Sequence, residues 1–327
     1  MTDERYLATY DVVVVGGGAA GLSGALTLGR ARRSVLVIDA GEPRNAPASG
    51  VHGFLTRDGM NPAELLEAGR AEVHRYGAHV LYGRVISAAA VDSGFTVELE
   101  DGERIGARRL LVATGLVDEL PDVPGIPERW GRDVLHCPYC HGWEFRDQRI
   151  GVLATGAWSV HQALMFRQWT ANLTLLLHDG PRPTDDAAEQ LAAREIPVVE
   201  GEVTALEVVG DRLAGVRLRG GGSFACEALA VLPRFVARAG MLDSLGLKTV
   251  TDPKDMGEQI EADATGLTAV PGVWVAGNVA DINAQAVDAA GAGVRAAAAI
   301  NADLVEEEIL HAVRARQDRA STAAGDE

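Results

Sequence analysis

Along the chain, short unbroken apolar blocks alternate with stretches whose apolar positions recur at helical spacing. Asp11–Val15, Ser34–Ile38, His79–Gly83, Leu110–Gly115, Arg149–Leu153, Leu173–Leu177 and Val273–Val279 have the length and β-branching of buried parallel strands. Leu22–Leu28, Pro62–Tyr76 and Val160–Gln168 read as helices between them. That alternation predicts an α/β fold with helices on the faces of largely parallel sheets. Phe95–Glu100 and Glu103–Ile105 bracket Asp101-Gly102, a hairpin signal. Val198–Val209 and Arg212–Leu218 flank Gly210-Asp211 in the same way. Met241–Leu247 reads as a short amphipathic turn. Two C-terminal helices are expected, Val287–Asn301 and Leu304–Gln317, the second with Glu306, Glu307 and Glu308 as a solvated face, followed by disorder over Ser321–Glu327.

Composition narrows the classes. At 327 residues the chain is long enough for two domains, and 47% apolar content with mean hydropathy +0.04 is ordinary for an α/β protein. No apolar run reaches membrane-spanning length. The net charge of −16 argues against nucleic acid or an anionic membrane as partner. A charged, polar start (MTDERYLATY) and only three cysteines predict a cytoplasmic protein without a signal peptide or disulfide framework. No solenoid or propeller period is visible.

Candidate chemistry starts where the first strand ends. Asp11–Val15 runs directly into Gly16-Gly17-Gly18-Ala19-Ala20-Gly21 and then into a helical stretch. Gly16, Gly18 and Gly21 are in the register of G-x-G-x-x-G: a tight turn, a backbone open to a pyrophosphate, and close packing of helix on strand. The helix N-terminus offers N–H groups and its positive dipole end to phosphates. Ser34–Ile38 ends in Asp39, an acid placed to accept from a ribose.

The second feature is HCPYCHGWE, His136–Glu144. Cys137 and Cys140 are spaced for a disulfide across one turn, with a histidine on each side. Beside an α/β pattern, C-x-x-C reads as a redox dithiol or as half of a zinc site. Zinc needs two further ligands, and the third cysteine, Cys226, stands alone in an apolar run with no histidine near it in sequence. The redox reading prevails, and no metal is expected.

With LLVATG at Leu110–Gly115 and VWVAGNV at Val273–Val279, the chain resembles the low-molecular-weight thioredoxin reductases from about Asp11 to about Asn301. The resemblance implies two Rossmann-like, three-layer ββα domains, the second inserted into the first: an FAD-binding domain from 1–118 and 240–327, and an NAD(P)-binding-like domain over 119–239 that carries the dithiol. It implies FAD on Gly16, Gly18, Ala19, Ala20, Gly21, Asp39, Arg44, Asn45, His52, Val85, Ala113, Thr114, Gly115, Gly277, Asn278, Gln285 and Ala286. Asn278 stands where the family has aspartate, and would bond the ribityl chain without adding charge. It also implies a homodimer.

Two departures carry a sharper expectation. The second glycine turn is degenerate: Ala154-Thr155-Gly156-Ala157-Trp158-Ser159 lacks the first glycine of the family's pattern. The strand after it ends in His178-Asp179-Gly180-Pro181 where NADPH-dependent relatives have a His-Arg-Arg cluster, so an aspartate replaces a phosphate-binding guanidinium. The resemblance therefore implies that NAD(P)H has lost its site, the alternative being sequence drift with NADH still bound by a looser loop. CPYCHGWE, with His141 after the second cysteine, looks like the dithiol oxidases of the gliotoxin and holomycin type. That likeness implies oxidation of a small-molecule dithiol to an intramolecular disulfide, with O2 as acceptor. Cys137 would meet the substrate, Cys140 would face the flavin, and His141 (or His136) would be the base, with Asp281 orienting one of them. The alternatives are an NAD(P)H-dependent disulfide reductase and a non-enzymatic flavin redox sensor.

Overall fold

A computed structural model describes residues 9–325. The chain divides into two compact units: Met1–Pro43, Leu66–Leu116 and Ala237–Glu327 form the first, Arg44–Leu65 and Val117–Val236 the second. Sequence analysis had grouped residues 44–65 with the first unit; the structure packs them in the second.

In the first unit, β1 (Thr9–Val15) leads through a glycine turn into α1 (Ala19–Arg30) and β2 (Val35–Asp39). Then come α2 (Pro62–His74), which begins in residues of the second unit, β3 (His79–Tyr82), β4 (Val85–Val91), β5 (Gly94–Leu99) and β6 (Arg104–Val112). β6 is long enough to pair with β1 along one edge and with two different strands along the other. Its first half takes the antiparallel β5, and its second half a parallel strand, Val273–Val275. The sheet order is β3-β2-β1-β6-β5-β4, with Val273–Val275 beside the end of β6. One face buries Tyr10, Val13, Leu36, Ile38 and Val112; the other buries Val12, Val14, Val37 and Leu111 beneath α1 and the C-terminal helix. The alternation along DVVVV explains both faces: a strand buried on two sides has no polar positions.

The chain leaves this unit within β7 (Leu116–Glu119). The second unit continues with α3 (Ile126–Arg129), β8 (Val134–Leu135), α4 (Pro138–His141), β9 (Ile150–Leu153), α5 (Ser159–Phe166), β10 (Leu173–Leu176), α6 (Asp185–Ala193) and β11 (Val198–Val199). β12 (Val203–Val209), β13 (Arg212–Leu218) and β14 (Ser223–Ala225) form a separate antiparallel sheet, before β15 (Ala228–Ala230). The parallel sheet runs β11-β10-β9-β15-β8. α5 and α6 cover one face through Ala163, Phe166 and Leu191; the other packs on Val123, Ile126, Leu213, Val216 and Cys226. Buried Arg129 is held by Asp133, whose carboxylate also accepts the Leu213 N–H at 2.8 Å.

The return passes through β16 (Arg234–Ala237), β17 (Thr249–Thr251), β18 (Gly257–Ile260) and β19 (Val273–Val275), and ends in α7 (Ala286–Gly325). Two separate C-terminal helices and a disordered tail were expected; the structure has one helix through Gly325. No glycine or proline interrupts Asn301-Ala302-Asp303-Leu304, so nothing breaks it. Glu307 and Glu308 are not a free solvated face either: they pair with Arg33, Arg108 and Arg109. α1 and α7 approach closely at Gly24 and Gly293; a Cβ on Gly293 would collide with the Ala20 carbonyl. Among the described residues, no helix is long and apolar enough to cross a membrane.

Candidate active site

Two sets of residues from the sequence come together, one in each unit. In the first, Gly16 has φ +108, and a Cβ there would run into the Ala113 carbonyl. Gly21 packs against the Gly16 carbonyl with no room for a side chain. Gly18 is different: its φ is −79 and nothing lies within 4 Å of a Cβ built on it. That space is a cradle at the N-terminus of α1, where no side chain caps the helix. Asp39 closes one side, its carboxylate 2.6 Å from a Cβ built on Gly17. Ala113, Thr114 and Gly115 continue β6; Gly115 has φ +72, accepts the Arg238 N–H at 2.9 Å, and faces open space. Thr114 Oγ1 donates to the Arg238 carbonyl at 2.7 Å. Gly277 has φ +77 and lies against Ala20, which brings the Gly277–Asn278 turn to the same glycine loop. Val85 opens β4 opposite Leu99.

These features fit FAD: an empty cradle at a helix N-terminus, an acid after β2, and glycines that admit close approach. Three details differ from the sequence expectation. The Asn278 amide donates to the carbonyls of Asp281 and Ala284, so it pins the loop before α7 and is not a free donor for a ribityl hydroxyl. The Gln285 N–H is engaged by the Asp288 carboxylate at 3.1 Å, which leaves Ala286 as the first residue of α7. Arg44, Asn45 and His52 belong to the second unit. There Arg44 makes a two-point ion pair with Asp118 (2.9 and 2.7 Å) and lies over the Phe235 ring, while the Asn45 carbonyl accepts from Ala48.

The second set surrounds the dithiol. Cys137 and Cys140 are joined as a disulfide with Cα atoms 5.2 Å apart. Cys137 caps the single-turn helix α4, and its Sγ accepts the Cys140 N–H at 3.2 Å. Pro138 at the first helical position fixes that turn. Gly142 packs under Trp169, a Cβ there lying 2.8 Å from the indole; Tyr139 meets the same indole edge-on at 5.5 Å. Tyr139 (62% exposed) and Trp143 (65% exposed) stand out beside the disulfide, both partly open to water.

The histidines are not equivalent. His136 packs edge-on against Phe235, bonds the Val231 backbone, and has its Nδ1 sealed without a partner. Burial, aided by the Arg44 charge, pushes it down to about 4. His141 is also lowered by burial, but Glu144 opposes the shift while His52 adds to it. Asp281, expected to orient one of them, lies in the first unit, where its carboxylate accepts the Asn283 N–H at 2.9 Å. The carboxylate acting on His141 is Glu144, which sequence reasoning passed over although it closes the HCPYCHGWE motif. Cys226 sits in a separate apolar core, its thiol pushed up to about 12 by burial, as an inert packing residue would be.

In the turn between β9 and α5, Ser159 engages two backbone donors from within, while nothing lies within 4 Å of a Cβ built on Gly156. Ser159, fully buried, places its hydroxyl 3.1 Å from the Thr155 N–H and 3.4 Å from that of Gly156, and Thr155 Oγ1 donates to Leu232. Two of the turn's backbone donors, those of Thr155 and Gly156, thus have a partner within the chain. After β10, His178 accepts the Val203 N–H at 3.0 Å and has Asp179 3.3 Å from its other nitrogen.

Comparison with known proteins agrees with this anatomy. The family model "Pyridine nucleotide-disulphide oxidoreductase" matches residues 10–297. The crystal structure of HlmI superposes with a TM-score of 0.89 at 49% identity, covering 95% of this chain and 97% of that one. Thioredoxin reductase tcpT of Claviceps purpurea is 34% identical over 73% of this chain and 78% of its own length. A probable thioredoxin reductase of Arthroderma benhamiae is 36% identical over 44% of this chain, a match that spans 37% of that protein.

Proposed function

The chain belongs to the pyridine nucleotide-disulphide oxidoreductase family as an FAD-binding enzyme of dithiol–disulfide redox chemistry, and on that premise we propose that it oxidises a small-molecule dithiol to an intramolecular disulfide. The observation that carries the reading is the pairing of a half-buried, histidine-flanked disulfide with a β9–α5 turn in which Ser159 engages the Thr155 and Gly156 N–H groups. A reductase needs that turn open; an enzyme fed by its dithiol substrate does not.

The steps are thiol–disulfide exchange. A substrate thiolate attacks Cys137 Sγ, the Cys137–Cys140 bond breaks, and its electron pair passes to Cys140. The second substrate thiolate attacks the substrate sulfur of the mixed disulfide and expels Cys137 as thiolate, onto the Cys140 N–H that already donates to it. The substrate leaves as a disulfide and the enzyme keeps the dithiol. His141 takes the substrate proton; His136, held down to about 4, is the weaker base near neutral pH. FAD, when bound by the Gly16–Gly21 turn, Asp39 and the Gly277 turn, supplies a two-electron acceptor for the reduced pair and, in this reading, a route to O2 with release of H2O2. Tyr139 and Trp143 suit a compact apolar substrate such as the sulfur-bearing natural products handled by dithiol oxidases. A homodimer in the cytoplasm completes the reading.

Anaerobic mixing with NADPH, NADH or a small dithiol, followed by flavin absorbance, tests it. Bleaching by the dithiol alone is the expected result. Fast bleaching by NADPH with indifference to dithiols would restore an ordinary reductase, and no bleaching by any of the three would leave a redox sensor.

A further inference from the structure

Strands β8 and β15 run side by side, and their ladder ends where the Val231 N–H donates to the Leu135 carbonyl at 2.8 Å. Beyond that point β8 leads into the dithiol turn, and a side chain takes over as the next rung. Gln162, on α5 one turn after Ser159, donates through Nε2 to the His136 carbonyl at 2.9 Å and to the Val231 carbonyl at 3.1 Å. Both amide hydrogens are thereby used. The reverse orientation would set Oε1 against two carbonyl oxygens, so the geometry fixes the sense of the amide. Its Oε1 is left buried with no partner among the described residues, and the residue is 6% exposed. A buried acceptor without a donor is costly, so filling space does not account for an amide here. The residue it holds, His136, also bonds the Val231 backbone through its ring and meets Phe235 edge-on at 5.0 Å. Next in the chain is Cys137. Because a peptide unit is planar, the direction of the His136 carbonyl sets that of the Cys137 nitrogen and Cα. From there Cys137 is extended (φ −93, ψ 119) and opens α4, its carbonyl accepting the Cys140 N–H at 3.2 Å.

We propose that Gln162 is a positioning residue of the dithiol: its grip on the His136 carbonyl fixes the peptide plane from which Cys137 Sγ meets the substrate thiolate. This rests on Cys137 being the sulfur attacked in dithiol oxidation. Exchange needs the attacking sulfur nearly in line with the bond that breaks, so a tilted Cys137 loses rate and not affinity. Gln162 acts through hydrogen bonds and carries no charge, so putting an acid in its place creates a signature that loss of packing would not. In Gln162→Glu the neutral acid keeps one donor for the two carbonyls, whereas the carboxylate keeps none and is repelled by both. Burial beside carbonyl oxygens favours the neutral form and raises the titration of the new acid above the ordinary carboxyl range. His136 is the titratable residue that Gln162 contacts, and parent and variant share it.

The experiment uses the flavin-loaded enzyme and dithiothreitol without oxygen. Flavin bleaching is followed against dithiothreitol concentration and pH in the parent, Gln162→Met and Gln162→Glu, with melting curves alongside. Gln162→Met keeps the length of the side chain and removes both donors. Its limiting rate should fall roughly ten- to hundredfold, with half-saturation changed by less than about threefold. Gln162→Glu should come within about threefold of the parent near about pH 5 and decline relative to it as pH rises and the acid ionises. An unchanged limiting rate in Gln162→Met, or a ratio of Gln162→Glu to parent that is flat with pH, would overturn the proposal. Should Gln162→Met melt below the assay temperature, the Gln162→Glu ratio decides alone. Each reaction is also quenched with iodoacetamide and the alkylated Cys137 and Cys140 are counted by mass, which reads the opening of the disulfide without the flavin. A parent whose disulfide opens while its flavin stays oxidised would defeat the dithiol-oxidase reading, and the Gln162 variants would then be judged on the rate of opening.

Discussion

The hydroxyl of Ser159 lies 3.1 Å from the backbone nitrogen of Thr155, inside the turn where a second dinucleotide would need that N–H for itself. On the proposed reading, that contact and the missing arginine pair weaken the second dinucleotide site while the surrounding strand–turn–helix stays intact. NADPH should bind roughly two to four orders of magnitude more weakly than a competent turn with an arginine pair would allow, since two charge-assisted contacts are missing. Equilibrium titration of the flavin-loaded protein with NADPH, followed by protein fluorescence, measures this. Saturation at micromolar NADPH would contradict it.

Gly18 offers a clean test of the first turn. Its φ of −79 is open to any residue and a Cβ there touches nothing, so Gly18→Val should fold normally. It should nonetheless purify without flavin, because the branched side chain fills the cradle. Gly21→Val should fail differently, losing stability outright through collision with the Gly16 carbonyl. Absorbance of the purified proteins and their melting curves separate the two outcomes.

Cys140→Ser should keep FAD bound and abolish bleaching by dithiols, since no second sulfur remains to receive the bond electrons. Alkylation with iodoacetamide should then find Cys137 as a free thiol. Retained dithiol-driven bleaching in that variant would remove the cysteine pair from the electron path.

Stability of the second unit hinges on Asp133. Its carboxylate pairs with the buried Arg129 guanidinium, which Asp211 also holds through its carboxylate and its carbonyl, and it accepts the Leu213 N–H, so Asp133→Ala leaves an unpaired donor and a buried cation with one acid in place of two. The expected loss is about 1–3 kcal/mol, read by denaturant unfolding. A loss below about 1 kcal/mol, the range of exposed pairs, would show that water reaches Arg129.

His136 predicts an acid-side dependence of opposite sign to that of a salt-bridged histidine. Its folded value lies at about 4, below the ordinary 6.5. Between those values the unfolded chain takes up a proton that the folded protein refuses. Stability should therefore decline as pH falls from about 6.5 towards 4 and level off beneath, by up to about 3 kcal/mol. His136→Phe, which keeps the ring against Phe235, should flatten that decline; an unchanged slope would assign it to other groups.

Gly16, Gly18 and Gly21 could be found in the sequence because each demand on them is local, a turn, a phosphate approach or a helix–strand contact at fixed spacing. The same holds for Cys137 and Cys140, whose bond closes within one helical turn. What escaped depends on pairing across the chain. Nothing in the stretch around His52 announces that it will meet Glu144, and so its loop was assigned to the cofactor side. The resemblance puts Arg44 at the cofactor; in the structure its guanidinium is paired with Asp118. Asn278 shows the same limit: its type was read correctly as a hydrogen-bonding group, but its donors are claimed by two loop carbonyls only a few residues on. The break expected between the C-terminal helices had no chemical basis, and the continuous α7 follows the absence of any breaker.

The two strands through which the chain leaves and re-enters the first unit also bear on the order of folding. Everything in the second unit, from Arg44 to Val236, is synthesised before the first unit receives β19 and α7, the elements that flank β6 and cover α1. The guest can thus be complete while its host is still an open sheet. The hydrogen bonds from Arg238 to Gly115 and from Thr114 to Arg238 then join the two crossing segments within the first unit. Loop closure scales with the logarithm of length, so holding so large an insert in place of a tight turn adds only about 3 kcal/mol. Ribosome-bound chains halted shortly after Val236 has emerged should already protect the dithiol-bearing unit from protease, while β1 and α1 stay open to cleavage.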